Sequence, residues 1–254
     1  MKIAVSGKGG VGKTTFSSLL IRTLDDIDKK VLAIDADPDA NLAAALGIPD
    51  ADLIVPISEM KEMVYERTGA QPGSIGGFYR LNPKVDDLPD SLSAKFNQIK
   101  LIRLGGVKKG GAGCICPEST LLKALVMHIV LARDEFVVMD MEAGIEHLGR
   151  GTARAVDRLI VVVEPGRRSI DTADHIRELA GQIGLTQISV VGNKIRGDRD
   201  LAFLQKHLAD FKFLGFLSYD NALIEADLEG ISPFEAPSVT KTEVVRMTDA
   251  LLTA

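Results

Sequence analysis

The run Gly7-Lys8-Gly9-Gly10-Val11-Gly12-Lys13-Thr14-Thr15 contains the pattern G-x-x-x-x-G-K-S/T in full, a spacing suited to gripping the phosphates of a nucleotide. The glycines let the backbone at Gly9, Gly10, Val11 and Gly12 turn N–H groups inward around phosphate oxygens. A helix beginning near Lys13 would add its positive dipole end to the same anion. In that chemistry Lys13 neutralises the β/γ-phosphates, Thr14 offers its hydroxyl to Mg²⁺ and Thr15 reaches the α-phosphate. The plain alternative is a glycine-rich turn that fits the pattern by accident. Context argues against it: Ile3-Ala4-Val5 precedes the loop as a short apolar strand, and Leu19, Leu20 and Leu24 follow at helical spacing.

Carboxylates at two other strand ends could complete a phosphoryl-transfer site. Lys30 to Asp35 reads as a second strand that runs into Asp35-Ala36-Asp37-Pro38-Asp39-Ala40-Asn41, and Phe136 to Asp140 reads as a buried strand ending in a carboxylate. Open α/β sheets place ligands at the carboxyl ends of their strands. Asp140 is the natural metal-side residue, and Asp37 the natural one to orient water. Turn or helix-cap aspartates are the ordinary alternative for each. A third group is Cys114-Ile115-Cys116, the only cysteines in the chain. In a reducing compartment so close a pair reads as a ligand or redox site, the alternative being two ordinary buried thiols.

The elements that must position these residues alternate between β-rich runs and helical patterns, the rhythm of a mostly parallel central sheet with helices on both faces. Further strands are expected at Leu101 to Leu104, Arg158 to Val163, Ile188 to Asn193 and Phe211 to Leu217. Helices are expected at Glu118 to Arg133, Ser169 to Ile183, Asp200 to Leu208, Asn221 to Leu228 and Lys241 to Leu251. The helix at Glu118 is apolar all round, which predicts burial. Prolines break residues 48 to 97 into an irregular insertion, with one helix possible at Ser58 to Arg67. The 254 residues, 46% hydrophobic, suit one α/β domain spanning 1–254. A net charge of −5 points away from nucleic acid and anionic lipid as partners. The amino terminus runs straight into the first strand and no apolar stretch is long enough to span a bilayer, so a cytoplasmic location is expected. His128, His147, His175 and His207 do not cluster with the cysteines in sequence, and Lys108-Lys109 reads as solvated surface.

Lys8, a second lysine in the loop, makes the chain resemble the deviant P-loop ATPases, the class of MinD, ParA, the arsenite-pump ATPase and the nitrogenase iron protein. Asp35-Ala36-Asp37-Pro38 resembles their first switch, Val138 to Gly144 their second, and Val191-Gly192-Asn193-Lys194 the segment whose Asn contacts adenine. The resemblance implies hydrolysis of ATP to ADP and phosphate, a homodimer formed on ATP binding, and Lys8 reaching across it to the partner's phosphates. One departure is Glu142, which stands where the second switch commonly has proline. Another is Ala143, near the place where the iron protein carries its second cluster ligand, so a shared four-iron cluster is not supported.

What remains is the C-x-C pair. Two thiolates are half of a closed soft-metal site, and two chains face to face would supply four, for Zn²⁺ or Ni²⁺. In this the chain is similar to the maturation ATPases of carbon monoxide dehydrogenase, associated with nickel insertion. That resemblance implies a metallochaperone with Cys114 and Cys116 as metal ligands and carbon monoxide dehydrogenase as client. A MinD/ParA-type positioning switch and a nucleotide-gated iron–sulfur electron carrier are the other readings.

Overall fold

The computed structural model describes residues 1–70, 80–106, 117–145, 148 and 155–253. Cys114, Cys116, Lys108, Lys109 and His147 lie outside the described residues.

Ile3 and Val5 turn to one side of the first strand, β1 (Lys2–Ser6), and Ala4 to the other. Side chains of a strand alternate between faces, so a strand whose three central residues are all apolar must be covered on both. That requirement shapes the molecule. Helix α1 (Lys13–Asp26) lays Phe16, Leu19, Leu20 and Leu24 on the face of Ile3 and Val5. Strand β2 (Val31–Ala36) follows, then α2 (Leu42–Leu46), α3 (Lys61–Thr68) and α4 (Leu88–Ser91). Next come β3 (Ala94–Phe96), β4 (Ile99–Arg103), α5 (Pro117–Ala132), β5 (Phe136–Met141) and β6 (Arg158–Val163). The remaining elements are α6 (Arg167–Ile183), β7 (Ile188–Ile195), α7 (Asp198–His207), β8 (Lys212–Ser218), α8 (Asn221–Leu228) and α9 (Val239–Leu252).

Among the described residues, eight strands form one sheet in the order β3-β4-β2-β5-β1-β6-β7-β8. Every pairing is parallel except the β3–β4 hairpin. Two buried clusters cover it. One packs α1, α2 and α9 on the face of Ile3; the other packs α3, α5 and α6 on the face of Ala4. Parallel pairing brings the carboxyl ends of β1, β2, β5, β6 and β7 to one edge, where the loops that carry chemistry begin.

The structure differs from the sequence reading mainly in the insertion. Residues 48–97 hold α3, α4 and the edge strand β3, the last too short to show a period of its own. α5 buries Leu121, Leu122, Leu125, Val126, Ile129 and Val130, but Met127 and Leu131, four residues apart, are exposed. Its uniform hydrophobicity therefore overstates its burial. Among the described residues, no helix is long and apolar enough to cross a membrane.

Gly192 on β7 shows how closely the site's scaffold is packed. A Cβ there would lie 2.6 Å from Phe216 Cδ1 and 2.9 Å from Leu204 Cδ1. Gly192→Ala is expected to cost about 1–3 kcal/mol by overpacking, read as a lower urea midpoint with an unchanged slope.

Candidate functional site

The loop between β1 and α1 takes its shape from left-handed glycines. Gly12, the residue capping α1, has φ 93°, and a Cβ on it would strike the Asn193 side-chain amide. Gly7, with φ 147°, passes against the Val162 carbonyl, another approach that a side chain would block. The loop opens on a cavity of about 1030 Å³ that Lys13, Thr14, Thr15, Asp37 and Asn193 help to line. Lys13 is 7% exposed, and its Nζ stands 4.0 Å from Asp37 Oδ2, too far for a hydrogen bond. A buried ammonium with a distant counter-ion, beside glycine backbone at a helix N-terminus, suits a polyphosphate.

Asp140, next to last in β5, stands directly beside this loop. Its Oδ2 accepts from the Thr14 hydroxyl at 2.7 Å and its Oδ1 from the Ser17 hydroxyl at 3.0 Å. A hydroxyl and a carboxylate in contact are hard oxygen donors of the kind Mg²⁺ takes beside nucleotide phosphates. Parallel register sets Asp35 of β2 opposite Asp140. Asp35 accepts from the Leu42 N–H at 3.0 Å and the Asp37 N–H at 3.4 Å, so its carboxylate organises the turn that presents Asp37. Both acids are 1% exposed. Burial pushes Asp35 up to about 7, with the nearby Asp140 charge adding to the rise. Burial likewise lifts Asp140 to about 6 against the pull of Thr14, Ser17 and Lys13.

On the other side of the loop, Asn193 donates its side-chain amide to the Val11 carbonyl at 2.7 Å and accepts the Lys194 N–H at 2.8 Å. Lys194, itself at φ 59°, sends its Nζ to the Gly10 carbonyl at 2.6 Å and to Glu164 Oε2 at 3.0 Å. Lys8 Nζ lies 3.5 Å from Glu164 Oε1. Ser6 at the end of β1 donates to the carbonyls of Glu142 and Gly144 at 3.0 and 2.8 Å, tying the segment after Asp140 to the base of the loop. Farther along the cavity, Tyr219 lies under the Arg196 guanidinium, 4.7 Å from ring centroid to Cζ, with Leu223 and Ile224 beyond.

The structure thus brings together Lys8, Gly9, Gly10, Val11, Gly12, Lys13, Thr14, Thr15, Asp37, Asp140 and Asn193, all singled out by sequence. The sequence reading missed Ser6, Ser17, Glu164, Lys194 and Tyr219 as site residues and read Asp35 only as part of a switch. A carboxylate within the apolar run Leu32-Ala33-Ile34-Asp35-Ala36 was the one legible signal among them. Among the described residues, no group of three or more His, Cys, Asp or Glu is arranged to hold a metal ion. His128 is half-buried on α5, His175 is exposed on α6, and His207 packs on the Phe203 ring with centroids 4.6 Å apart.

A parallel sheet with this loop at its centre, and carboxylates at the neighbouring strand ends, defines a P-loop ATPase. Residues 2–234 match the model of the CobQ/CobB/MinD/ParA nucleotide-binding domain, and the chain belongs to that family. It is 44% identical over 254 residues to the carbon monoxide dehydrogenase accessory protein CooC of Rhodospirillum rubrum, covering 99% of this chain and 96% of that one. An uncharacterised ATP-binding protein of Methanocaldococcus jannaschii is 41% identical over 249 residues, covering 97% and 96%. Among solved structures, MinD of Pyrococcus horikoshii complexed with Mg-ADP superimposes with a TM-score of 0.68 at 22% identity, over 98% of this chain and 95% of that one.

The two raised acids give a pH signature. Each binds more protons folded than unfolded between its ordinary value of 3.8 and its raised one. Their contribution is therefore full at low pH and is lost as pH rises. The stability of the nucleotide-free protein is expected to fall from about pH 4 to about pH 7 and then level, read from urea midpoints across pH. Asp35→Asn should flatten the upper part of that slope; an unchanged slope would mean that Asp35 does not carry it.

Proposed function

We propose that this ATPase is a metallochaperone that dimerises on binding ATP and assists nickel insertion into carbon monoxide dehydrogenase. The observation that carries the reading is the 44% identity to CooC along nearly the whole of both chains, in a sequence whose two cysteines stand as Cys114-Ile115-Cys116. In this reading residues 1–254 work as one cytoplasmic ATPase domain. Two face-to-face copies pool four thiolates around Ni²⁺, or around Zn²⁺ in its place.

The nucleotide half of the reading follows from charge. Lys13 would neutralise the β/γ-phosphates of a loop-bound nucleotide, with Thr15 reaching the α-phosphate. Thr14, with Asp140 behind it, would hold Mg²⁺, which when bound neutralises charge on the β- and γ-oxygens. Asp37 orients the attacking water, while Lys13 and the partner's Lys8 stabilise the charge that develops on the γ-phosphate. Asn193 faces the base in this scheme, and its bond to Val11 links that contact to the loop. Because one Lys8 must come from the other protomer, turnover stays slow until the dimer assembles.

Two measurements test the reading. Metal titration of the reduced protein, with and without ATP, is expected to give one metal per two chains, lost in a Cys114→Ala, Cys116→Ala double variant. ATP-driven dimerisation with no bound metal would instead favour a positioning switch. Lys8→Ala is expected to bind ATP normally yet remain monomeric by light scattering, with kcat lowered on the order of 100-fold; normal dimerisation would refute a lysine acting across the interface.

A further inference from the structure

We propose that Glu164 is the resting counter-ion of Lys8, holding that lysine on its own subunit until phosphate displaces the carboxylate. The inference rests on the reading that Lys8 acts on the partner's phosphates, and it adds a positioning residue that the hydrolysis scheme does not use.

Topology puts the two residues together. β1 and β6 are paired with Ser6 opposite Val161, so Glu164, three residues on, emerges beside Lys8, two residues on. The Glu164 backbone is fixed there, its N–H donating at 3.1 Å to the hydroxyl of Ser169, which is buried at the start of α6. The two carboxylate oxygens then serve different cations. Oε2 holds Lys194 at 3.0 Å, and Lys194 is anchored a second time by the Gly10 carbonyl. Oε1 faces Lys8 at 3.5 Å, the outer limit of a hydrogen bond, with the two side chains 27% and 35% exposed. One cation is pinned and the other is loosely held.

That difference in strength suits an exchange. A half-exposed pair at this distance is a weak contact, enough to bias where Lys8 rests and too little to compete with a triphosphate. The same arrangement appears across the loop, where Lys13 rests 4.0 Å from Asp37. Both P-loop lysines thus lean on carboxylates at strand ends, on opposite sides of the phosphate cavity. Lys194 stays with Glu164 when Lys8 leaves, so the carboxylate is never stranded beside the incoming anion.

Glu164→Gln, which keeps shape and removes charge, separates the contact from its consequence. In the nucleotide-free protein, the acylation rate of Lys8 read by mass spectrometry is expected to rise roughly two- to fivefold. The ATP concentration at half-maximal dimerisation is expected to fall by a similar factor, and the Lys8→Ala, Glu164→Gln double variant should stay monomeric like Lys8→Ala alone. An unchanged Lys8 rate, or an unchanged or higher ATP midpoint, would overturn the proposal. Should Lys8→Ala dimerise normally, the trans-acting lysine fails and the exchange with it, while the acylation rate still reports whether the resting contact exists. If the Gln variant does not fold, high salt applied to the wild-type protein provides the same test. Screening should raise Lys8 acylation relative to the bulk lysines; no rise would overturn the contact.

Discussion

The bond from the Asn193 side chain to the Val11 carbonyl sets the direction in which the phosphate loop faces. A trans peptide points its carbonyl and its N–H opposite ways, so turning the Val11 carbonyl toward β7 turns the Gly12 N–H away from it. The 2.7 Å bond is buried, and no side chain at residue 12 could share the space with Asn193. Gly12 is then committed to its left-handed conformation, and α1 starts from there. β7 itself is held by packing, since Gly192 fits under Phe216 and Leu204 only because it lacks a Cβ. A chain of close contacts runs from the helix layer through β7 into the loop, so the anion site depends on the sheet's packing as much as on its own glycines.

Charge around this loop is balanced locally, and it is unevenly solvated. Asp35 and Asp140 are buried against each other at the ends of β2 and β5, where low dielectric raises both. Asp37 and Glu164 lie farther out, at 22% and 27% exposure, each beside a loop lysine. The inner pair does structural work: Asp140 orders the start of α1 through Thr14 and Ser17, and Asp35 caps the turn at Leu42. The outer pair meets its lysines at longer range, 3.5 and 4.0 Å. Parallel topology makes the division possible, because it delivers four carboxylates to one edge from three strands, each at a depth fixed by its position relative to the strand end.

How much of this was legible depended on how local the signal was. The loop from Gly7 to Thr15 could be read outright, since its glycines, lysine and threonines act within nine consecutive residues and lie between a strand and a helix. Asp37 and Asp140 were legible because they end apolar runs. Glu164 was not, since its meaning lies in Lys8, 156 positions away, and in Lys194, 30 positions away. Ser6 and Ser17 are small polar residues in apolar elements, and only the paired neighbour tells that their hydroxyls bind a loop carbonyl or a buried acid. β3 is three residues on a sheet edge, where pairing with β4 and not its own pattern makes it a strand. α5 misled in the opposite direction, because periodicity cannot report which side of an apolar helix has a neighbour.

The backbone leaving β4 is packed against the Asp37 turn. Leu104, one residue beyond the strand, donates its N–H to the Asp35 carbonyl at 2.8 Å, so the strand leaves the sheet against the residue that organises the Asp37 turn. Gly105 follows at φ 79°, pressed against Pro56 and Ser58 so closely that a Cβ would lie 2.6 Å from Pro56 Cβ. At Gly106 a Cβ would stand 3.3 Å from Pro38 Cβ, one residue after Asp37. Gly105 and Gly106 are therefore clamped between the Asp37 turn on one side and the insertion on the other. Tightly packed surfaces transmit displacement because they cannot absorb it. Pro38 and Gly106 are in such contact, one residue beyond Asp37 and three beyond β4. The contact is short-range and steric, so the Asp37 turn and the backbone leaving β4 are packed as one unit.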